Sequence, residues 1–313
     1  MLAMDGVLII DKPEGLTSHD VISRVRRIMG LRRAGHTGTL DPFATGVLVV
    51  LLGRATRLAR FLSGADKEYA ATIRLGYATD TGDITGKPLS AVQACPGFDA
   101  ASIEAALASM RGEIEQTPPM YSAKKVQGRK LYEMARRGEE IQRSAVPVQV
   151  HRFEAISRND QLLHQNEDGT FDLAVRVVCS AGTYVRTLAE SVGQFLGVGA
   201  HLSALRRTRA GQFKIEDAIS LSELEQEAQA GKGSRLLVSP DAALSHLPFV
   251  RLSAEESRQA RNGIGVPVMS PAETKWQDGQ QVRMRNESDD LLAVGFYDEV
   301  KQLMHPRVVI APQ

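Results

Sequence analysis

The sequence predicts an α+β protein built in two parts, and three observations lead to this prediction. Residues Lys67–Leu75 alternate between apolar and polar side chains, which is the pattern of a strand with one buried face. Thr17-Ser18-His19-Asp20 is instead predicted to cap a helix, which has apolar residues at helical spacing and ends at Gly30. After Pro248 the pattern changes to a helix and short strands. We therefore expect a first domain at 1–247 and a small C-terminal β module at 248–313.

The remaining elements are predicted in order from the same patterns. A strand is expected at 6–10, and the apolar run at 47–52 is either a buried strand or a buried helix segment. The polar stretch 158–170 is expected to be a hairpin loop, and a basic loop is expected after Gly197. Further helices are predicted at 100–110, 187–196, 221–230 and 252–261, and further strands at 148–156, 171–178, 281–285, 291–296 and 307–310.

Composition excludes several classes of protein. The chain of 313 residues is 43% hydrophobic and 24% charged, which is ordinary for a globular protein. Its two cysteines form no CxxC pair, so neither a zinc site nor a disulfide framework is indicated, and a cytoplasmic location is expected. We find no signal peptide and no apolar run of membrane-spanning length. There is no phosphate loop, no dinucleotide fingerprint and no pair of histidines at metal-ligand spacing.

Basic residues cluster in two places although the net charge is only +1. Residues 117–143 hold seven basic and three acidic side chains, and residues 201–214 hold four basic and no acidic ones. The first cluster lies in a predicted excursion at about 117–145, which carries a short helix at 131–137. Such patches are a possible footprint for phosphates, although a solvated helix face is the better explanation of any single patch.

The stretch 35–46 surrounds a single carboxylate, Asp41, with turn-forming residues. Gly35, Gly38 and Gly46 allow positive φ angles or close approach of a ligand, and Pro42 fixes the chain after the acid. This arrangement suits an acid held at the mouth of a cleft. An ordinary Asx turn is the alternative interpretation of the same residues.

Two further segments add candidates for a site. Tyr69 lies on the alternating strand, and the turn 180–186 supplies Tyr184 and Arg186. We expect an Asp41 carboxylate beside Arg186 to have a depressed pKa and to remain available as a nucleophile. The two tyrosines could hold a flat ring between them. Taken singly, each tyrosine also suits a core or interface position.

Together these segments resemble the bacterial tRNA pseudouridine synthase B family, whose members act on uridine 55 of the T-loop. The resemblance covers nearly the whole chain and is least clear in the C-terminal module. Ala181 and Ser191 depart from it, since a basic and an acidic residue are usual there. The matching motifs are Asp11-Lys12-Pro13 with Thr17-Ser18, 35–48, 74–76, 79–83, Tyr121-Ser122-Ala123, Leu131-Tyr132-Glu133, 182–187 and 201–208.

The resemblance implies a role for each candidate. Asp41 is the implied nucleophile, Arg186 pairs with it, and Tyr69 stacks on the flipped uracil and helps to remove the C5 proton. The implied substrate contacts are completed by His36, Tyr184 and Leu205. Phosphate contacts are expected from Lys124, Lys125, Arg129, Lys130, Arg206 and Arg207.

The resemblance also implies the architecture and the partners. It predicts the pseudouridine synthase fold, a mixed and mostly antiparallel sheet flanked by helices, followed by a PUA-like RNA-binding module. The excursion at about 117–145 is then a loop that clamps tRNA. No cofactor is expected, because the reaction is an isomerisation. The protein is expected to be a monomer that needs no metal and no protein partner. A tRNA-folding activity is also expected.

Two other functions remain open from the sequence. The basic patches and the C-terminal module also suit an RNA chaperone without catalysis. A nucleoside hydrolase would use two carboxylates, and Asp80 or Asp83 are the candidates for the second. We interpret both as turn-forming residues.

Overall fold

The computed structural model describes residues 4–93, 95, 97–122, 125–126, 129–130, 134, 137, 139, 141–157, 159–268 and 275–310, with the backbone alone for 125, 126 and 130. The predicted helix at 131–137 lies largely outside the described residues. In the described part of the chain, no helix is long and apolar enough to span a membrane.

A ten-stranded sheet forms the centre of the first domain. Its strands are β1 Gly6–Lys12, β2 Ala34–Thr37, β3 Thr45–Leu52, β4 Lys67–Leu75, β5 Gly112–Gln116, β8 Val146–Ala155, β9 Leu163–Gln165, β10 Phe171–Cys179, β11 Ala200–Ala210 and β12 Phe213–Lys214. A separate hairpin joins β6 Lys125–Val126 to β7 Arg129–Lys130. The main order is β1-β3-β11-β4-β10-β8-β5, with β2, β9 and β12 pairing at its sides. Only the β3–β11 pair is parallel among the pairings of this sheet in the described residues, so the sheet is mixed and mostly antiparallel as predicted.

Helices cover the sheet and connect its strands. They are α1 Ser18–Ile28, α2 Ala59–Leu62, α3 Ala100–Ala108, α4 Val185–Leu196, α5 Leu221–Gln229, α6 Pro240–Ala243 and α7 Ala254–Arg261. Thr17 caps α1 as predicted, because its side chain accepts a hydrogen bond from the backbone of Asp20 in a capping box. Three short 3-10 helices lie at Gly53–Leu58, Ile215–Asp217 and Gly233–Leu236.

The main core lies on the face of β4 that carries Tyr69, Ala71, Ile73 and Leu75. All four are buried, which confirms the predicted alternation of this strand. Helices α3 and α4 contribute their apolar residues to the same cluster. The run Val47 to Leu52 is a strand and not a helix segment, because it pairs with β1 along its whole length.

The prediction of a loop was wrong for two segments, because each contains a strand. The basic segment after Gly197 is β11, which lies between β3 and β4 near the middle of the sheet. Its arginines concealed the strand, because Arg207 is buried although arginine normally indicates a surface. The stretch 158–170 also contains a strand, β9, which pairs with β10.

The C-terminal module is a five-stranded sheet with its own core, which confirms the predicted β module. Its strands are β13 Phe249–Arg251, β14 Val266–Pro267, β15 Gln281–Arg285, β16 Leu291–Asp298 and β17 Leu303–Val309. Val294 and Ile310 leave that core and join an apolar cluster of the first domain. Asp241 of α6 also pairs with Arg283 at 3.0 Å and with Arg285 at 2.6 Å. The module is therefore docked on the first domain through apolar and ionic contacts.

Candidate active site

The turn that carries Asp41 is held by the last residue of β1 and the first residue of α1. The buried Nζ of Lys12 donates hydrogen bonds to the carbonyl oxygens of Ala44 at 2.6 Å and Pro42 at 3.2 Å. Ser18 accepts a hydrogen bond from the Leu40 amide at 2.9 Å on the other side of the acid. Backbone groups on both sides of Asp41 therefore have fixed partners, as a precisely held carboxylate requires.

Glycine is required where this turn enters β3. Gly46 has a φ of +100°, and a Cβ placed on it would collide with the backbone of Arg207 in β11. Gly38 has a φ of +78° and lies beside the Arg207 side chain. The predicted need for positive φ or close approach is therefore met at both positions.

Arg186 links Asp41 to two other segments, the loop 81–83 and the segment that contains Tyr121. Its Nε lies 3.0 Å from Oδ2 of Asp41, so the predicted pairing of these two residues is present. The Nη atoms donate to the carbonyl oxygens of Thr81 at 2.7 Å and Tyr121 at 2.6 Å. Oδ2 of Asp83 lies 3.7 Å from Nη1. Because the guanidinium is buried and held at every edge, it can orient the Asp41 carboxylate.

The predicted depression of the Asp41 pKa was wrong in direction. Burial raises the pKa of this carboxyl, and the nearby Asp83 raises it further. Arg186 and Lys12 lower it, but burial and Asp83 together raise it by more. A third of the Asp41 side chain remains exposed, so the acid can still be reached from solvent.

A cavity of about 270 Å³ opens above Asp41. Tyr69 of β4, Leu205 of β11 and Tyr184 at the start of α4 line it together with Arg186. The backbone of Tyr184 is held by the Gln116 side chain, which accepts from its amide at 2.7 Å. Acid, arginine, two aromatic rings and an aliphatic side chain thus meet in one cavity, as a site for a flat polar ring requires.

Tyr69 is electrostatically unsuited to act as a base. It is buried, and burial raises the pKa of its phenol even though the nearby Arg207 lowers it. The phenol therefore stays protonated at neutral pH, when a base would have to accept a proton. Its ring remains able to stack.

The other predicted contacts lie elsewhere or are not described. His36 lies in β2 opposite Val50 and does not line the cavity. Arg207 is buried, is bonded to backbone carbonyls and lines the cavity, so it does not belong to an exposed basic patch. Arg206 pairs with Asp11 at 2.7 Å and Arg129 with Glu139 at 3.2 Å, and both arginines keep exposed surface. Lys124 and the side chains of Lys125 and Lys130 lie outside the described residues.

Sequence reasoning missed several residues of the site. Lys12 and Lys67 are buried lysines, and burial lowers the pKa of each to about 8. Ser122 also lines the cavity, and its buried hydroxyl has no hydrogen-bond partner among the described residues. Lys12 and Ser122 belong to motifs that carry the family resemblance, and this membership could have identified them. Lys67 could have been identified from its position two residues before Tyr69, on the same face of β4. Among the described residues, no cluster of His, Cys, Asp or Glu has the arrangement of a metal site.

Two family descriptions match successive parts of this chain. The TruB family pseudouridylate synthase (N terminal domain) matches residues 26–185, and the tRNA pseudouridylate synthase B C-terminal domain matches residues 186–245. Neither match extends to the C-terminal β module. The first match includes Asp41, Tyr69 and Tyr184, and Arg186 opens the second.

Similar whole proteins have the same name in different bacteria. The chain is 45% identical over 260 residues to tRNA pseudouridine synthase B of Geobacillus thermodenitrificans (strain NG80-2), covering 83% of this chain and 85% of that protein. It is 48% identical over 254 residues to the protein of that name in Aromatoleum aromaticum (strain DSM 19018 / LMG 30748 / EbN1), covering 80% and 77%.

Solved structures extend the similarity to the C-terminal module. A Cbf5-Nop10-Gar1 complex contains a chain that is 29% identical, with a TM-score of 0.73 and coverage of 98% of this chain and 85% of that chain. A chain in an H/ACA RNP bound to a substrate RNA containing 2'-deoxyuridine is 27% identical, with a TM-score of 0.72 and coverage of 99% and 86%. The expected pseudouridine synthase fold is confirmed, and the chain belongs to the TruB family of pseudouridylate synthases, which are isomerases.

Proposed function

We propose that the chain converts uridine 55 in the T-loop of tRNA to pseudouridine, with Asp41 as the nucleophile. The observation that carries this proposal is the Asp41–Arg186 pair at the cavity lined by Tyr69, Tyr184 and Leu205. The names of the bacterial relatives support tRNA as the substrate. The choice of uridine 55 as the target rests on the motifs that resemble the tRNA pseudouridine synthase B family.

The reaction breaks the bond between N1 of uracil and C1′ of the ribose, rotates the base and joins C5 to C1′, while C5 loses a proton and N1 gains one. The uridine must first leave its stack, so the rings of Tyr69 and Tyr184 are proposed to receive the flipped base. The ionised Asp41 then forms the covalent adduct by attack at C6 of the base or C1′ of the ribose. Arg186 orients its carboxylate throughout, and Leu205 packs against the base. The chemistry redistributes bonds within the substrate, so these side chains need no cofactor.

Phosphate binding is proposed for the basic segment at about 117–145 and for Arg206. Arg129 and Arg206 keep exposed guanidinium surface, although each has an acidic partner that an RNA phosphate would have to replace. His36 is proposed to contact the substrate RNA from β2, the strand before the turn that carries Asp41. We place the catalytic domain at 1–247 and a PUA-like RNA-binding module at 248–313. We further propose a cytoplasmic monomer that also assists tRNA folding.

A nucleoside hydrolase is disfavoured by the environment of Asp83. Its Oδ1 accepts hydrogen bonds from the Thr81 hydroxyl at 2.8 Å and from the Thr85 amide at 3.0 Å. Its side chain is buried beside Arg186. A second carboxylate that is already saturated by loop contacts is poorly placed to activate water.

Base-resolution mapping of an unmodified tRNA transcript tests the proposal. We expect pseudouridine at position 55 and none in a transcript that carries cytidine there. Free uracil without pseudouridine would indicate a hydrolase. Binding that refolds the tRNA without either product would indicate a chaperone.

A further inference from the structure

Two cations lie beside Tyr69 in the cavity. Lys67 is two residues before Tyr69 in β4, so both side chains point to the same face of the strand. Arg207 of β11 lies directly opposite Tyr69 in the antiparallel pairing. Lys67 and Arg207 both line the cavity that contains Asp41.

Both cations are bonded to carbonyl oxygens and to no carboxylate. Nζ of Lys67 donates to Ser63 at 2.6 Å and to Ala65 at 2.5 Å. The guanidinium of Arg207 donates from Nε to Val47 at 2.7 Å and from Nη2 to Gly38 at 3.0 Å. In the described part of the chain, no acidic side chain lies within the 4.0 Å that defines an ion pair for either cation.

Neither Lys67 nor Arg207 has an ion-pair partner among the described residues, although both side chains are buried. Lys67 and Arg207 are 6% and 1% exposed, so water screens them little. Arg186 in the same cavity differs, because it faces both Asp41 and Asp83. Buried cations without anionic partners are costly, and such groups commonly serve a ligand or a developing charge.

We propose that Lys67 and Arg207 form a subsite for an anionic oxygen of the target nucleotide. This inference rests on the proposed function. The oxygen has two possible sources, the phosphate next to the flipped uridine or a carbonyl oxygen of the base during reaction. In the second case a carbonyl oxygen of the base carries negative charge until C5 bonds to C1′. Attack of Asp41 at C6 moves the C5=C6 electron pair toward that oxygen, whereas attack at C1′ leaves the N1–C1′ bonding pair on the departing uracil anion. Lys67 supplies a remaining N–H, and Arg207 supplies a fixed positive charge.

Lys67→Met tests the subsite because it keeps an unbranched apolar stem and removes the charge. Single-turnover pseudouridine formation and equilibrium binding are measured on one T-arm RNA across a series of salt concentrations. If the oxygen belongs to the base, the rate falls by about 100-fold at unchanged affinity. If it belongs to a phosphate, affinity falls and the log–log salt slope flattens by about 0.7 to 0.9. Lys67→Arg, which keeps the charge, restores most of either loss.

Lys232→Met is the matched control, since Lys232 is an exposed lysine outside the cavity, and it should equal the wild type. Thermal unfolding checks each variant, and Lys67→Gln, which keeps a donor, replaces Lys67→Met if the latter does not fold. A folded, neutral variant with wild-type rate, affinity and salt slope would overturn the subsite, as would equal losses in Lys67→Met and Lys67→Arg. Absence of pseudouridine with wild-type protein would instead refute the proposed function.

Discussion

Asp41 combines two opposed electrostatic influences, and their balance predicts how activity depends on pH. Burial raises the pKa of its carboxyl, whereas Arg186 and Lys12 lower it. The protonated form therefore contributes stability that is fully present below the unfolded-state pKa and is lost as pH rises through the higher folded-state pKa. Function requires the opposite form, because only the carboxylate is a nucleophile.

We predict that single-turnover activity falls on acidification at a pH above 3.8, the ordinary value for an aspartate. Arg186→Lys should move this fall to a higher pH, because it loses the planar contact to Asp41 while keeping a charge. A pH–rate profile of both proteins, with folding checked at each pH, measures the effect. A wild-type profile that remains flat down to pH 3.8 would contradict the raised pKa.

For individual residues, the sequence predicted which side chains form the site better than it predicted how deeply they are buried. The pairing of Asp41 with Arg186 was foreseen, since both stand in recognised motifs. The direction of the Asp41 pKa was not, because it depends on how much water the folded site excludes. The burial of Lys12 and Lys67 was equally hidden, since lysine normally indicates solvent.

The turn between β2 and β3 is the element on which the site depends. Gly46 is its most constrained position, because its φ is positive and β11 leaves no space for a Cβ. Gly46→Ala should therefore cost about 3 kcal/mol or more of folding stability, or displace Asp41 and abolish activity. Gly30→Ala is the matched control, because Gly30 also has a positive φ but open space around it, and about 1 kcal/mol is expected there. Denaturant unfolding measures both, and equal costs would refute the role of the close approach.

Elements with a regular apolar pattern were predictable, and those carrying buried charge were not. The alternation of β4 and the cap of α1 each indicated the correct structure from local residues. Strand β11 was mistaken for a loop, because three arginines stand within four positions and Arg207 points into the protein. The carbonyl oxygens of Gly38 and Val47, which are distant in sequence, help to make that burial tolerable.

On the scale of the whole molecule, the C-terminal module is docked on the first domain, but none of its described residues lines the cavity. Every lining residue of the cavity lies between Gly38 and Arg207. Removing 248–313 should weaken tRNA binding yet leave measurable turnover at high enzyme concentration. It should also lower the unfolding temperature, because the apolar cluster that Val294 and Ile310 complete becomes exposed.

The double variant Val294→Ala, Ile310→Ala separates these two effects. It keeps the whole module but weakens its apolar contact with the first domain, so stability should fall while tRNA affinity changes less than in the truncated protein. Calorimetry and filter binding provide the two measurements. A folded, truncated protein without any turnover would place part of the active site in the module.

The most direct measurement is single-turnover pseudouridine formation by Asp41→Asn, with tRNA binding measured beside it. Asparagine keeps the shape of the side chain, and Lys12, Ser18 and Gly46 still fix the turn. Binding should survive within about tenfold, or 1.4 kcal/mol, because it depends mainly on phosphates and stacking. Pseudouridine should fall below detection at position 55, since the variant has lost its nucleophilic oxygen. A substantial rate of isomerisation by Asp41→Asn would contradict the mechanism, and joint loss of binding and turnover would make Asp41 a structural residue.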